Sequence, residues 1–270
     1  QCELRAELLS QCVDAKLFED DPKAAEDAVV TEQLELLLSC DWNAASSALA
    51  QLDVLLAFSR LPEAFATTGG GLMEFCTPEI GGSCGGSDDG DSSLEARGVW
   101  NLIIARTAKD GVAVPSDVHL GEGAEGSASS TTTTTAPTTL LLTGPNTGGK
   151  STLLRTVCTA VVLAQCGAPV PASKFRLGRP VDRLYTRLGA SDRLQSGEST
   201  FLVECAEASA ILRGATPHSL VVLDELGRGT ATFDGYSIAR AVMLKLTQMQ
   251  VKTIFATHYH WLLAEAEEIK

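Results

Sequence analysis

Leu140-Leu141-Leu142-Thr143-Gly144-Pro145-Asn146-Thr147-Gly148-Gly149-Lys150-Ser151-Thr152 runs from a short apolar stretch through a glycine-rich turn into a helical pattern. Gly144 to Ser151 satisfies G-x-x-x-x-G-K-[ST], in the strand–loop–helix setting that gives this spacing its chemistry. Gly148 and Gly149 let backbone N–H groups approach phosphate oxygens with no Cβ in the way. The positive end of the following helix adds attraction for the anion. Lys150 can reach the outer phosphates, and the Ser151 hydroxyl can ligate Mg²⁺. Gly144, Pro145, Asn146, Thr147, Gly148, Gly149, Lys150, Ser151 and Thr152 are thus candidate contacts for ATP, with Lys150 also acting on the transferred phosphoryl group.

Downstream, strand and helix patterns alternate. The spacing predicts a strand at Leu140–Leu142 and a helix over about 150–165. It continues with a strand at Val181–Arg187, a helix near 200–213 and a strand at Leu220–Leu223. A helix near 234–249, a strand at Thr253–Ala256 and a helix starting near Trp261 complete it. Such alternation implies an α/β fold with a largely parallel sheet between helices, and a ligand site at the carboxyl edge of the strands.

Two further motifs fall on that edge. Leu220-Val221-Val222-Leu223-Asp224-Glu225 is an apolar run ending in two carboxylates. Asp224 is the candidate for ordering the Mg²⁺ shell; Glu225 is the candidate base that takes a proton from an attacking water. Thr253-Ile254-Phe255-Ala256-Thr257-His258 ends another strand. There His258 can hydrogen-bond the terminal phosphate or the water, while His260 is expected to be bystander surface.

Upstream, apolar residues recur at helical spacing (Leu4, Leu8, Leu9, Cys12, Ala15; then Leu49, Leu52, Leu55, Phe58) until Pro62. Residues 67–93 are rich in Gly, Ser and Asp, and 121–139 contain five consecutive threonines; both are expected to be loops. The 270 residues are 44% hydrophobic, with a mean hydropathy of +0.10, as in a folded globular protein. The longest apolar runs, such as 157–164, fall short of the roughly 20 residues that cross a bilayer. Eight cysteines without CxxC spacing point to reduced thiols inside the cell rather than a metal or disulfide framework. The net charge is −13, yet residues 1–100 carry 19 acidic against 5 basic side chains, and 141–270 carry 11 against 14. Composition therefore gives no sign of a nucleic-acid grip. The chain opens on Gln1 and is expected to be a piece of a longer protein.

The wording between the motifs is more specific. TGPNTGGKST, DRLYTRLGASDRLQSGESTFLVECAEASAIL, SLVVLDELGRGTATFDGYSIARAV and FATHYH together resemble the ATPase domain of MutS-type DNA mismatch repair proteins. They are most similar to the eukaryotic homologues of the sixth and plant seventh types. SALAQLDVLLAFSRL resembles that family's connector helix, and VPSDVHLG its strand and turn before the nucleotide site. The resemblance implies a P-loop NTPase fold related to ABC-transporter ATPases, in three parts. These are a helical lever segment over 1–66, an N-terminal part of the ATPase domain with low-complexity insertions over 67–139, and the ATPase core over 140–270. It implies a DNA-dependent ATPase using ATP and Mg²⁺, nuclear, paired with a MutS-homologue partner subunit. Contact with mismatched double-stranded DNA would come mostly through regions outside these residues, and no membrane is involved. Asn146 matches an asparagine of the family's phosphate loop, and His258 matches its switch histidine. Ser199 matches the serine that reaches the partner's nucleotide in trans; an ordinary N-cap of the next helix is compatible with that role.

Some positions depart from the family. Thr147 stands where Met is usual, Ala113 near the place of an adenine-stacking aromatic, and Pro169 in place of an aromatic. Val99-Trp100-Asn101-Leu102 replaces an Arg-His-Pro-like turn. The chain also stops before the helices that complete the family's dimer interface and lacks its mismatch-wedging module. Other readings are an ATPase subunit of a transporter, a subunit with a decayed site, and a recombination-specialised homologue. Against the transporter, only LQSGES at 194–199 stands near an LSGGQ signature. A GTPase is excluded by the lack of N-K-x-D. Against decay stand Lys150, Ser151, Asp224 and Glu225.

Overall fold

The structure, a computed structural model, describes residues 23, 30–31, 42–65, 73–81, 93–107, 113–121, 137–145, 148–189 and 200–268. It divides into two compact units, 1–57 and 58–270. Within the first, the main described element is the body of helix α1 (Trp42–Arg60), on which Leu49, Leu52, Leu55 and Leu56 are exposed. The remaining helical patterns of the first 41 residues lie almost wholly outside the described residues, as do most of the two low-complexity stretches.

The second unit holds two four-stranded sheets. One contains β1 (Glu79–Ile80), β2 (Leu94–Val99), β3 (Ser116–Leu120) and β5 (Lys174–Leu177) in the order β1-β5-β2-β3. β2 runs antiparallel to both of its neighbours. The other contains β4 (Thr139–Leu142), β6 (Leu184–Arg187), β7 (Leu220–Asp224) and β8 (Lys252–Ala256). It is parallel throughout in the order β4-β8-β7-β6. Helix α2 (Leu102–Thr107) follows β2, and α3 (Lys150–Gln165) follows β4. Helices α4 (Thr200–Gly214), α5 (Thr232–Gln248) and α6 (Trp261–Glu268) complete the chain.

Side-chain alternation along β7 explains the layering. Leu220 and Val222 point to one face and Val221 and Leu223 to the other, and all four are buried. A strand covered on both faces reads as a continuous apolar run. On the first face Leu220, Val222, Ile254 and Ala256 pack with Leu154, Val157, Ala160 and Val161 of α3. Beyond α3 lie Leu94, Ala96, Val118 and Phe175 of the first sheet, in the same core. On the second face Val221, Leu223 and Phe255 meet Ala208 and Ile211 of α4 and Ala239, Val242 and Leu246 of α5. Each large apolar side chain so buried stabilises by about 1.5–3 kcal/mol. A mixed α/β unit with a parallel-rich sheet between helices is what the alternation predicts.

Three expectations need adjustment. The strand expected from Val181 begins at Leu184, because Gln165 at the end of α3 takes both backbone groups of Val181. Its Oε1 accepts the Val181 N–H at 2.5 Å and its Nε2 donates to the Val181 carbonyl at 3.2 Å. The stretch 67–93 is not loop throughout. Cys76 bridges to Val170, and β1 adds a parallel edge to β5. The segment in place of the expected turn at 99–102 has structural work of its own. Trp100 is buried in an edge-to-face cluster with Phe65 and Phe75, its Nε1 donating to the Glu74 carbonyl. Asn101 Oδ1 accepts the N–H groups of Ile103 and Ile104, an N-cap for α2. Ala113 joins the same small core. Among the described residues no helix is long and apolar enough to cross a membrane.

Candidate functional site

The carboxyl ends of the four parallel strands lie side by side, and three of them, β4, β7 and β8, deliver the parts of the site. β4 leads into the glycine-rich loop. Gly144 sits at φ +144° and Gly149 at φ +81°, a region open to glycine at little cost. The Gly148 N–H turns back onto the Pro145 carbonyl at 2.9 Å. α3 then starts with no side-chain cap at Gly149, so its first-turn N–H groups are not taken up by a capping side chain. Asn146 and Thr147 lie outside the described residues. The Lys150 side chain is buried and folds back over the loop, its Nζ donating to the carbonyls of Gly144 at 2.5 Å and Pro145 at 3.0 Å. Thr152, in the first turn of α3, accepts the Thr156 hydroxyl with its carbonyl.

β7 delivers the carboxylates. Ser151 Oγ donates to Asp224 Oδ2 at 2.6 Å. Asp224 is buried, and its second oxygen, Oδ1, has no hydrogen-bond partner among the described residues. An unsatisfied buried carboxylate oxygen is costly and calls for a missing ion or water. A hard cation suits it, because the oxygens of a serine and an aspartate are the donors that Mg²⁺ takes, together with substrate phosphates. Glu225 follows at φ +52°, rare for a residue with a side chain. Its N–H donates to the Ala256 carbonyl at 2.9 Å, and its Oε2 accepts from Arg228 Nη1 at 2.6 Å.

β8 lies between β4 and β7, so the residues after it emerge between the loop and the carboxylates. The Thr257 N–H donates to the Leu142 carbonyl, which ties β4 to this edge. His258 is exposed, its ring 4.0 Å from that of Tyr259. His260 is more than a bystander: its Nδ1 lies 3.2 Å from Thr143 Oγ1, in hydrogen-bond contact. Ser199 lies outside the described residues; the helix that follows it begins at Thr200.

The structure also gives roles to residues inside the quoted stretches that were not named as site candidates. Gly227 (φ +89°) and Gly235 press backbone against backbone, and the Tyr259 hydroxyl donates to the Gly227 carbonyl at 3.0 Å. Burial pushes the Tyr259 phenol above its ordinary value, and the charge of Glu204 adds to that. A Cβ on Gly235 would collide with the Gly227 carbonyl oxygen and the Tyr259 hydroxyl. Gly235→Ala is therefore expected to destabilise the protein by about 3 kcal/mol, seen as a lower urea midpoint. Arg187, ending β6, is the other: it donates to the backbone carbonyl of Asp224 at 3.0 Å and pairs with Glu204. A charge closing an apolar strand, and a glutamate inside an apolar helical run, were the available signals.

Residues 140–270 match the MutS domain V family. The chain is 42% identical over 243 residues to "DNA mismatch repair protein MSH7" of Arabidopsis thaliana, covering 89% of this chain and 21% of that protein. It is 43% identical over 226 residues to "DNA mismatch repair protein Msh6" of Homo sapiens, covering 83% and 15%. It is 42% identical over 214 residues to "DNA mismatch repair protein MutS" of Symbiobacterium thermophilum, covering 79% and 21%. The chain thus spans only 15% to 21% of the length of these relatives.

Proposed function

The chain belongs to the MutS family, and we propose that its residues 140–270 are a P-loop ATPase core, binding and hydrolysing Mg²⁺-ATP in a DNA mismatch repair protein. Ahead of it, 1–66 would be a helical lever segment and 67–139 the first part of the ATPase domain. The observation that carries this is the meeting of Ser151 with Asp224 at 2.6 Å beside an unpartnered buried oxygen, at the mouth of a helix with no capping side chain.

In this scheme the N–H groups of Gly149 to Thr152 bind the phosphates, and Lys150 exchanges the carbonyls of Gly144 and Pro145 for phosphate oxygens. Ser151 and Asp224 would hold Mg²⁺, which would supply charge neutralisation for the transferred phosphoryl group. Glu225 accepts a proton from water as its oxygen attacks the γ-phosphorus, and the bond to the ADP oxygen breaks. His258 hydrogen-bonds the water or the terminal phosphate. Fixed donors aimed at charge that develops in the transition state act without reorganisation.

We extend the proposal to the whole protein. Nucleotide state is coupled to clamping of mismatched DNA in a nuclear heterodimer with a second MutS homologue, and such coupling is reciprocal. Ser199 would complete the partner's site in trans. Ser199→Ala is then expected to slow hydrolysis at the partner's nucleotide and spare this chain's own. Single-turnover assays with one site disabled in each subunit separate the two, and a defect confined to this chain's site refutes the trans role.

The deciding experiment is Mg²⁺-ATP turnover by the protein alone and with a MutS-type partner. Turnover that rises with the partner supports a composite site. Nucleotide binding without turnover in either case leaves the binding site and refutes hydrolysis. Absence of binding refutes the proposal.

A further inference from the structure

Three of the four strand ends carry residues of the proposed ATP site; the fourth, β6, ends in Arg187. Its side chain is 5% exposed, and its planar head is used on three sides. Nη1 donates to the backbone carbonyl of Asp224 at 3.0 Å. Nη2 pairs with Glu204 Oε1 at 2.8 Å. Nε faces Glu207 Oε2 at 3.4 Å without hydrogen-bond geometry. Glu204, equally buried, is held in turn: its Oε2 accepts the Gly227 N–H at 3.1 Å. The pair therefore joins the ends of β6 and β7, the turn after β7 and the start of α4.

A buried ion pair is weak support for a fold, since desolvation offsets most of the attraction and apolar residues of similar volume serve as well. What a guanidinium supplies that they cannot is direction, because its donors sit in a rigid fork. The target of that fork is a single peptide unit. The Asp224 carbonyl receives Arg187, and the Glu225 N–H of the same peptide donates to the Ala256 carbonyl at 2.9 Å. Asp224 and Glu225 hang on either side of it. The left-handed conformation of Glu225, φ +52°, persists only where the surroundings over-determine it, and this peptide is fixed at both ends.

We infer that Arg187, anchored by Glu204, is a positioning residue that sets Asp224 and Glu225 relative to one another by holding the peptide they share. The inference rests on the assignment of those two carboxylates to Mg²⁺-ATP hydrolysis. Arg187 is bonded to the backbone of Asp224, not to its carboxylate. It acts as outer-shell partners of metal ligands do, whose loss typically costs 10–100-fold in affinity or activity.

The test uses the full-length protein carrying Arg187→Lys, which keeps the charge and loses the fork. Five quantities are measured: binding of ADP without metal, Mn²⁺ affinity of the ADP complex by electron paramagnetic resonance, kcat and KM for Mg²⁺-ATP, and the melting temperature. Metal-free ADP binding and KM are expected to stay within about twofold of the parent, while Mn²⁺ affinity and kcat each fall about tenfold. A lowered melting temperature with parental Mn²⁺ affinity and kcat would mean a merely structural role and overturn the inference. Should Arg187→Lys fail to fold, Glu204→Gln decides: the same two losses support the clamp, and parental values overturn it. If the parent protein binds no nucleotide, the ATPase assignment falls and this inference with it. If the parent hydrolyses ATP and neither variant differs from it, only the inference falls.

Discussion

Glu225→Gln is expected to bind Mg²⁺-ATP as the parent does and to hydrolyse it about 10²- to 10⁴-fold more slowly, the usual loss when a positioned general base is removed. Gln keeps the shape of Glu and can still accept the Arg228 hydrogen bond seen at 2.6 Å, but it cannot take up a proton at neutral pH. The phosphate loop, Lys150 and the Ser151–Asp224 pair are untouched, so binding survives while chemistry stops. A rapid filter assay would find ATP retained and unhydrolysed on the variant. Turnover at the parent rate would remove Glu225 from its role and leave water activation to another group on the same edge.

Lys150→Ala should fail earlier, at binding. The ammonium is buried and satisfied by two loop carbonyls, so in the free protein it holds the loop's entrance as well as waiting for phosphate. Removing it takes away the main cation facing the phosphates and leaves the Gly144 and Pro145 carbonyls without that donor. Charge-assisted contacts in water-poor sites are worth about 1.5–3 kcal/mol each. Two lost together correspond to a drop in ATP affinity of roughly 100-fold or more. Equilibrium titration with a fluorescent ATP analogue measures this. An unchanged dissociation constant would show that the helix N-terminus alone carries the phosphates.

Much of this was legible because it is local. Strand–loop–helix around Gly144 to Ser151, and an apolar run ending in Asp224-Glu225, announce themselves by spacing, and the parallel sheet follows from alternation. The first sheet is harder to see. In β2, Glu95 and Arg97 are paired with each other and Glu95 with Lys174, so charges interrupt the strand pattern. Of its neighbours, β3 is the next strand in the chain, but β5 arrives only after β4 and α3. Val181 shows the opposite failure: its type suits a strand, but the Gln165 side chain wins its backbone groups. The Arg187–Glu204 pair obeys no motif spacing; only the folded chain shows that its fork ends on the peptide between two carboxylates.

The position of β8 has a consequence for how the protein comes into being. β4 pairs with β8, whose residues leave the ribosome ~110 residues after β4's own, and non-local pairing of this kind folds slowly. Until then β4 lacks the neighbour it has in the finished sheet, and the phosphate loop it carries stands apart from Asp224, since β8 is the strand that separates and aligns them. An open strand edge invites pairing with other chains. Nucleotide affinity would therefore appear late in synthesis and all at once. A ligand that binds only the completed sheet would draw the last step forward by mass action; if the proposed ATP site is that ligand's, cellular ATP would be an assembly factor for the protein.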